Sequence, residues 1–209
     1  MKSMPKSFED LDAIRKIMER STRFLSLSGL SGVFAGLIAI AGSAIAFFFI
    51  FSGNFKNDFF LKLNADEFKS VQRALIIDAS IVLVLAIGFS LFFSYRKTNR
   101  QGLKMWTPVS KRLLFSMLIP LVTGGLFIII LFNEGLFHLI VPSMLIFYGL
   151  SLVNAGKFTY NDVFYLGISE VILGLVSALF TEYGLLFWTL GFGFLNIVYG
   201  LVMYRKYEI

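Results

Sequence analysis

Residues 113–154 read LLFSMLIPLVTGGLFIIILFNEGLFHLIVPSMLIFYGLSLVN, with no Lys or Arg, one acid (Glu134) and the chain's single histidine, His138. Two apolar runs, 113–132 and 136–154, each supply the ~20 residues that a helix needs to cross about 30 Å of hydrocarbon. Only helices and closed barrels satisfy every backbone group inside lipid, and runs this long predict helices. The connection 133–135 is too short for anything but a tight antiparallel hairpin. Working outward, four more runs of the same kind occur at about 25–51, 74–95, 162–181 and 184–204, the last two joined by 182–183 alone.

The rest of the composition agrees. Of 209 residues, 57% are hydrophobic and 15% charged, with 18 glycines and a mean hydropathy of +0.78. A soluble domain of this size leaves too much of its surface wet to hide so much apolar area. Disorder is excluded, as are a disulfide scaffold and thiol chemistry, because there is no Cys. Six spans consume about 120 residues, which leaves no room for a large extramembrane domain. The expected fold is an all-α polytopic membrane protein with six transmembrane helices in a domain at 25–206.

Residues 1–24 predict a cytoplasmic amphipathic helix. Ser7 and Asp10 have capping-box spacing, Glu9, Asp10 and Asp12 lie at its positive end, and Arg15, Lys16, Arg20 and Arg23 crowd the far end. Leu11, Ile14, Met18 and Leu25 share one face. The first apolar run is too long for the core of a cleaved signal peptide and reads as a span. Phe55, Phe59, Phe60 and Leu63 between runs 1 and 2 predict a segment lying in the membrane interface, and Asn64-Ala65-Asp66-Glu67 a helix start ahead of Phe68. Placing both termini in the cytoplasm puts 15 of the 19 Lys and Arg residues inside, leaving Lys56, Lys62, Lys69 and Arg73 outside. That split is a strong positive-inside signal.

The odd-numbered runs share a pattern: Val33-Phe34-Ala35-Gly36-Leu37, Val122-Thr123-Gly124-Gly125-Leu126 and Val171-Ile172-Leu173-Gly174-Leu175. A shift of 49 residues also aligns Gly135 with Gly184 and Lys157 with Lys206. The pattern predicts three parallel in–out–in hairpin repeats. Ile14-Arg15-Lys16-Ile17-Met18-Glu19 through Gly29-Leu30-Ser31-Gly32-Val33-Phe34-Ala35-Gly36, with Gly191-Phe192-Gly193-Phe194-Leu195-Asn196-Ile197-Val198-Tyr199-Gly200-Leu201-Val202-Met203-Tyr204, resemble small, uncharacterised six-helix membrane proteins of bacteria. The resemblance covers the two ends of the chain better than its middle. It implies the bacterial inner membrane and this topology, and no activity.

Candidate chemistry lies within the spans. Glu170 and Asp78 are their acids, and ionisable groups at membrane depth are functional candidates by default. With no Lys or Arg in any span, Glu170 is expected to be protonated, or hydrogen-bonded to Asn196, which sits at similar depth, or to a hydroxyl. Asp78 is expected about four residues inside the outer edge, within reach of water. Small residues let helix backbones approach closely in lipid, so Gly32, Gly36, Gly125, Gly174 and Gly200 are expected packing positions. Glu134 and His138, four apart, would share a helical face near the outer surface, but two ligands are too few for a zinc site. The loop between runs 2 and 3 carries Arg96, Lys97, Arg100, Lys104, Lys111 and Arg112 around Trp106, a candidate contact for anionic lipid headgroups or a protein partner. No phosphate loop, redox motif or haem-ligand pair occurs, so no cofactor or metal is expected; nucleic acid has no support beyond net charge. Two functions stay open: permease-like binding or transport of a small or lipophilic solute, and a non-catalytic membrane subunit, sensor or scaffold. An enzyme ranks last for want of a catalytic constellation. Oligomeric state and protein partners are not legible.

Overall fold

A computed structural model describes residues 28–50, 64–100, 102 and 106–208. The expected amphipathic helix at 1–24, the interfacial segment at 55–63 and Lys104 lie outside them. Among the described residues, six helices are long and apolar enough to cross a membrane: α1 (Gly29–Ile50), α2 (Ala65–Arg100), α3 (Pro108–Asn133), α4 (Phe137–Gly156), α5 (Asn161–Leu179) and α6 (Thr181–Tyr207). The described residues are therefore those of a helical polytopic membrane protein.

Local chemistry sets the helix ends. At the start of α2, the Asn64 amide donates to the Glu67 carboxylate at 2.9 Å and Phe68 N–H to Asn64 O at 2.8 Å. Helix α2 runs for 36 residues, well past the apolar run 74–95 at both ends. Helix α3 begins five residues ahead of its apolar run because Thr107 caps it: its hydroxyl accepts from Ser110 N–H at 3.1 Å while Ser110 Oγ accepts from Thr107 N–H at 2.7 Å, with Pro108 in the first turn.

The turn from α3 to α4 is made by Gly135 at φ 73°. Leu136 N–H donates to Leu131 O at 2.9 Å and Gly135 N–H to Phe132 O at 3.2 Å, the paired bonds that end a helix on a left-handed glycine. This corrects the expectation of a shared face for Glu134 and His138. Glu134 caps α3, His138 lies in a separate tight turn before the body of α4, and both are exposed.

Packing follows glycine. The most extensive interface is between α4 and α5, followed by α1 with α6, α3 with α4, and α1 with α2; α5 meets α6 over less surface. Gly149 and Gly167 bring α4 and α5 together so closely that a Cβ on either would lie 2.6–2.7 Å from the other's carbonyl oxygen. On the other side of the molecule, a Cβ on Gly36 would lie 2.5 Å from Gly193 O, and one on Gly200 2.6 Å from Gly29 O, so α1 and α6 are in backbone contact. Gly32 faces Gly200, and Gly174 faces Ile146 and Pro142 O. Gly125 differs from expectation. Nothing lies within 4 Å of its missing Cβ, whereas Gly124 sits against Phe147, 2.5 Å from that Cβ. The aligned glycines of the repeat thus occupy unlike surroundings.

Candidate functional site

Helix α5 presents Gly167, Glu170, Gly174 and Ser177 along one face, all buried. Glu170 is nine residues from each end of Asn161–Leu179, which puts it about 14 Å from either end at 1.5 Å per residue. Its exposure is 0%, and neither carboxyl oxygen has a hydrogen-bond partner among the described residues. The glycines on either side draw α4 close above and below it. Across from it, α6 departs from the regular α-helix into a wide π-type turn, Thr189–Leu195. There Gly191 makes room for the acid: a Cβ on Gly191 would lie 2.6 Å from Glu170 Oε2 and would also strike Leu145.

Asn196 stands at the end of that wide turn. Its Nδ2 donates to Gly191 O and Phe192 O, both at 3.3 Å, and its Oδ1 accepts from Tyr148 Oη at 3.1 Å. The expected hydrogen bond between Asn196 and Glu170 is therefore absent. A π-type turn shifts the amides away from their usual carbonyls, and the Asn196 amide is spent on two of those carbonyls. The expected hydroxyl partner is missing too. Tyr148 lies within electrostatic range of Glu170 but its hydroxyl is committed to Asn196. Aromatic rings line the α6 side, with Tyr148 and Phe192 at 5.1 Å between centroids and Trp188 and Phe192 at 5.4 Å. An ionised carboxyl held here with no cation and no donor would cost far more than a neutral one.

Asp78 lies on α2 opposite Gly42 of α1, whose missing Cβ would be 3.6 Å from Asp78 Oδ2. Gly42 is eight residues from Ile50, so Asp78 is level with a point about 12 Å inside that end of α1, deeper than the apolar run alone implies. It is half-buried and remote in the packing order from Glu170.

The cations at and between the end of α2 and the start of α3 divide. Arg96, Arg100, Lys111 and Arg112 are exposed, and Trp106 is 66% exposed. Lys97 is drawn inward instead: its Nζ lies 3.2 Å from Glu208 Oε1, and the two side chains are 9% and 14% exposed. Glu208 also accepts from the Gly29 amide at 2.6 Å, where α1 begins, and from Ser28 Oγ at 3.4 Å. A carboxylate on the first amide of a helix is favoured by the exposed N–H groups and dipole there. Nearby, Asp162 at the start of α5 accepts from Lys206 Nζ at 3.1 Å and from Tyr207 Oη at 2.8 Å. Tyr160 packs against Tyr207 with the rings tilted and their centroids 4.1 Å apart; burial pushes its hydroxyl up to about 12, with the electrostatic influence of Tyr207 and Glu208 adding to the effect. One end of the bundle is thus closed by charged and aromatic side chains. Sequence reading missed Glu208, whose only signal was its place just beyond Arg205 and Lys206.

No group of three or more His, Cys, Asp or Glu side chains suited to a metal occurs among the described residues. No protein-family profile, curated protein or solved structure matches the chain. Fold and site together define the class: a polytopic helical membrane protein with a lone buried carboxyl at the middle of its fifth span.

Proposed function

We propose that the protein is a permease-like membrane protein that binds or moves a small or lipophilic solute, with Glu170 at the centre of its working site. The observation that carries this reading is the Glu170 carboxyl itself, fully buried at mid-helix with both oxygens unpartnered among the described residues. Such a group is costly where it stands, and a purely structural role would give it a hydrogen bond. The wide turn in α6 that faces it adds support, since turns of this type concentrate at functional positions. The setting is the bacterial inner membrane, on the resemblance of the two chain ends, with both termini cytoplasmic on the distribution of Lys and Arg. The three in–out–in hairpins belong to the same reading, on the 49-residue register.

The test is uptake into proteoliposomes, screened over small neutral, cationic and lipophilic solutes. Protein-dependent uptake that Glu170→Gln abolishes, with the variant still folded, is the expected result. A screen in which vesicles with protein never exceed protein-free vesicles sinks the proposal. A second reading, a scaffold or sensor that docks a partner or anionic lipid, draws on the exposed Arg96, Arg100, Lys111, Arg112 and Trp106. It expects a membrane-crosslinked partner that disappears when those cations are reversed.

A further inference from the structure

Three oxygen atoms on one face of α5 are buried and hydrogen-bonded to nothing among the described residues: Glu170 Oε1, Glu170 Oε2 and Ser177 Oγ. Seven residues, two helical turns, separate the two side chains, so they lie on the order of 10 Å apart along the axis. The polar groups around them are paired. Asn196 is committed to Tyr148 and two carbonyls, Ser151 Oγ donates to Met117 O at 3.1 Å, and Thr189 Oγ1 to Leu185 O at 2.7 Å. Two unsatisfied residues in register on one stripe, rather than scattered, mark a line along which something else supplies the missing bonds.

Its chemistry is bounded by space. A single Cβ at Gly191 would overlap the carboxyl, and one at Gly174, between Glu170 and Ser177, would lie 2.7 Å from Ile146 Cγ1. At these two points the packing leaves no room for even a methyl group. A bare metal cation asks for several oxygens at once, and one carboxyl with no second acid beside it does not provide them. Of a solute, a metal cation and a proton, a proton handed along single waters needs the least room.

We propose that Glu170 is a proton-binding site served from the Leu179 end of α5, with the Ser177 hydroxyl as the relay. This rests on the permease reading of the same site and names its coupling ion. In the step, a hydronium ion carried in by water gives its proton to a Glu170 carboxylate oxygen; an O–H bond forms, one O–H bond of the hydronium breaks, and neutral water and a neutral carboxyl remain. Nothing is oxidised or reduced. Ser177 Oγ accepts a proton from a hydronium on its Leu179 side, leaving water, and gives its own proton to a water on the Glu170 side, making the next hydronium, so its net composition and the total charge are unchanged. The titratable groups that face this stripe are few. Tyr148 is the one from α4, Tyr199 of α6 stands behind Tyr148, and Glu182 and Tyr183 sit beyond Leu179. The Lys, Arg and His residues of α4, α5 and α6 are His138, Arg205 and Lys206, all within three residues of a helix end.

The test is infrared spectroscopy of the full chain in lipid, with no solute present, reading the C=O stretch of a protonated carboxyl as pH is raised. The expected result is a band that vanishes reversibly at high pH in the wild type and in Tyr148→Phe, and that is missing from Glu170→Gln. In Ser177→Ala the band has the same pH dependence but relaxes several-fold more slowly after a pH jump. On the wild type alone, a hydrophobic carbodiimide, which reacts with protonated carboxyls, is expected to label Glu170 less as pH rises; this holds the proposal to account even where Glu170→Gln fails to fold. A band that survives in folded Glu170→Gln, or labelling of Glu170 that ignores pH, overturns the proton site. Relaxation in Ser177→Ala as fast as in the wild type overturns the relay. Absent solute uptake together with an intact Glu170 band counts against the permease reading alone.

Discussion

Gly124 and Gly125 are neighbours with the same lack of a side chain and opposite surroundings. One is pressed on Phe147 and the other has nothing within 4 Å. Leu at 124 forces α3 and α4 apart, an overpacking cost of about 1–3 kcal/mol, whereas Leu at 125 is expected to fall within about 0.5 kcal/mol of wild type. Thermal unfolding in detergent compares them directly; equal loss at both positions contradicts the packing described above. Gly36→Leu belongs with Gly124→Leu, because its side chain would run into the Gly193 carbonyl. Glu170 makes the reverse prediction. Replacing an unpartnered buried polar group by an apolar one of similar size is neutral or stabilising, since the desolvation cost disappears. Glu170→Leu is therefore expected to melt no lower than the wild type while losing uptake, the signature of a residue kept for function at the expense of stability. A marked drop in melting temperature for Glu170→Leu would mean that the carboxyl has partners which hold the fold together.

At the scale of the element, the Glu208 carboxylate ties the C-terminus of α6 to the start of α1 and to the end of α2 through Gly29 N–H and Lys97 Nζ. Both charges are largely buried, so removing one takes the opposite charge away from the other at a place that water barely reaches. A cycle of Lys97→Met and Glu208→Gln should show a coupling of about 0.5–3 kcal/mol, with each single variant less stable than the wild type and the double variant recovering part of the loss. The Lys206–Asp162 pair, with Lys206 55% exposed, should give a coupling near zero by the same measurement. If the two cycles return the same value, burial is not what distinguishes them. This clasp was not legible in the sequence, because it depends on which helix ends meet. What was legible follows one rule: length and hydropathy locate spans, while short-range chemistry sets their ends. Asn64-Ala65-Asp66-Glu67 announced the start of α2, yet Lys111 and Arg112 masked the start of α3, where Thr107, Pro108 and Ser110 were the better guide. Four-residue spacing paired Glu134 with His138 only on the assumption of an unbroken helix, which Gly135 at φ 73° breaks. Burial of Glu170 could be anticipated from its small-residue stripe. Its lack of a partner could not, since that turns on the wide turn in α6 claiming Asn196.

For the whole molecule, contacts near the helix ends fix which ends lie together. Glu208 touches Gly29 and Lys97, and Lys206 and Tyr207 touch Asp162, so the starts of α1 and α5 share one end of the bundle with the ends of α2 and α6. Helices that alternate in this way bring the described ends of the chain, Ser28 and Glu208, to the same side. Cations cluster there as well. Arg96, Lys97, Arg100, Lys111, Arg112, Lys157, Arg205 and Lys206 stand near that end, against Lys69 and Arg73 toward the other. Translocating Lys and Arg is disfavoured, so the richly charged end should remain in the cytoplasm. Reporter fusions placed after Glu208 and between Asn54 and Asn64 are accordingly expected to give a cytoplasmic and an external signal respectively. Neutralising Arg96, Arg100, Lys111 and Arg112 together removes four of the eight described cations at that end while leaving the buried Lys97–Glu208 pair in place. That variant should blur the signal into a mixed topology without changing the helix pairing. The same signal from both fusions in the wild type would contradict the six-span alternation, and a swapped pair of signals would invert the bundle in the membrane, placing the Glu208 clasp outside and the Leu179 end of α5 toward the cytoplasm.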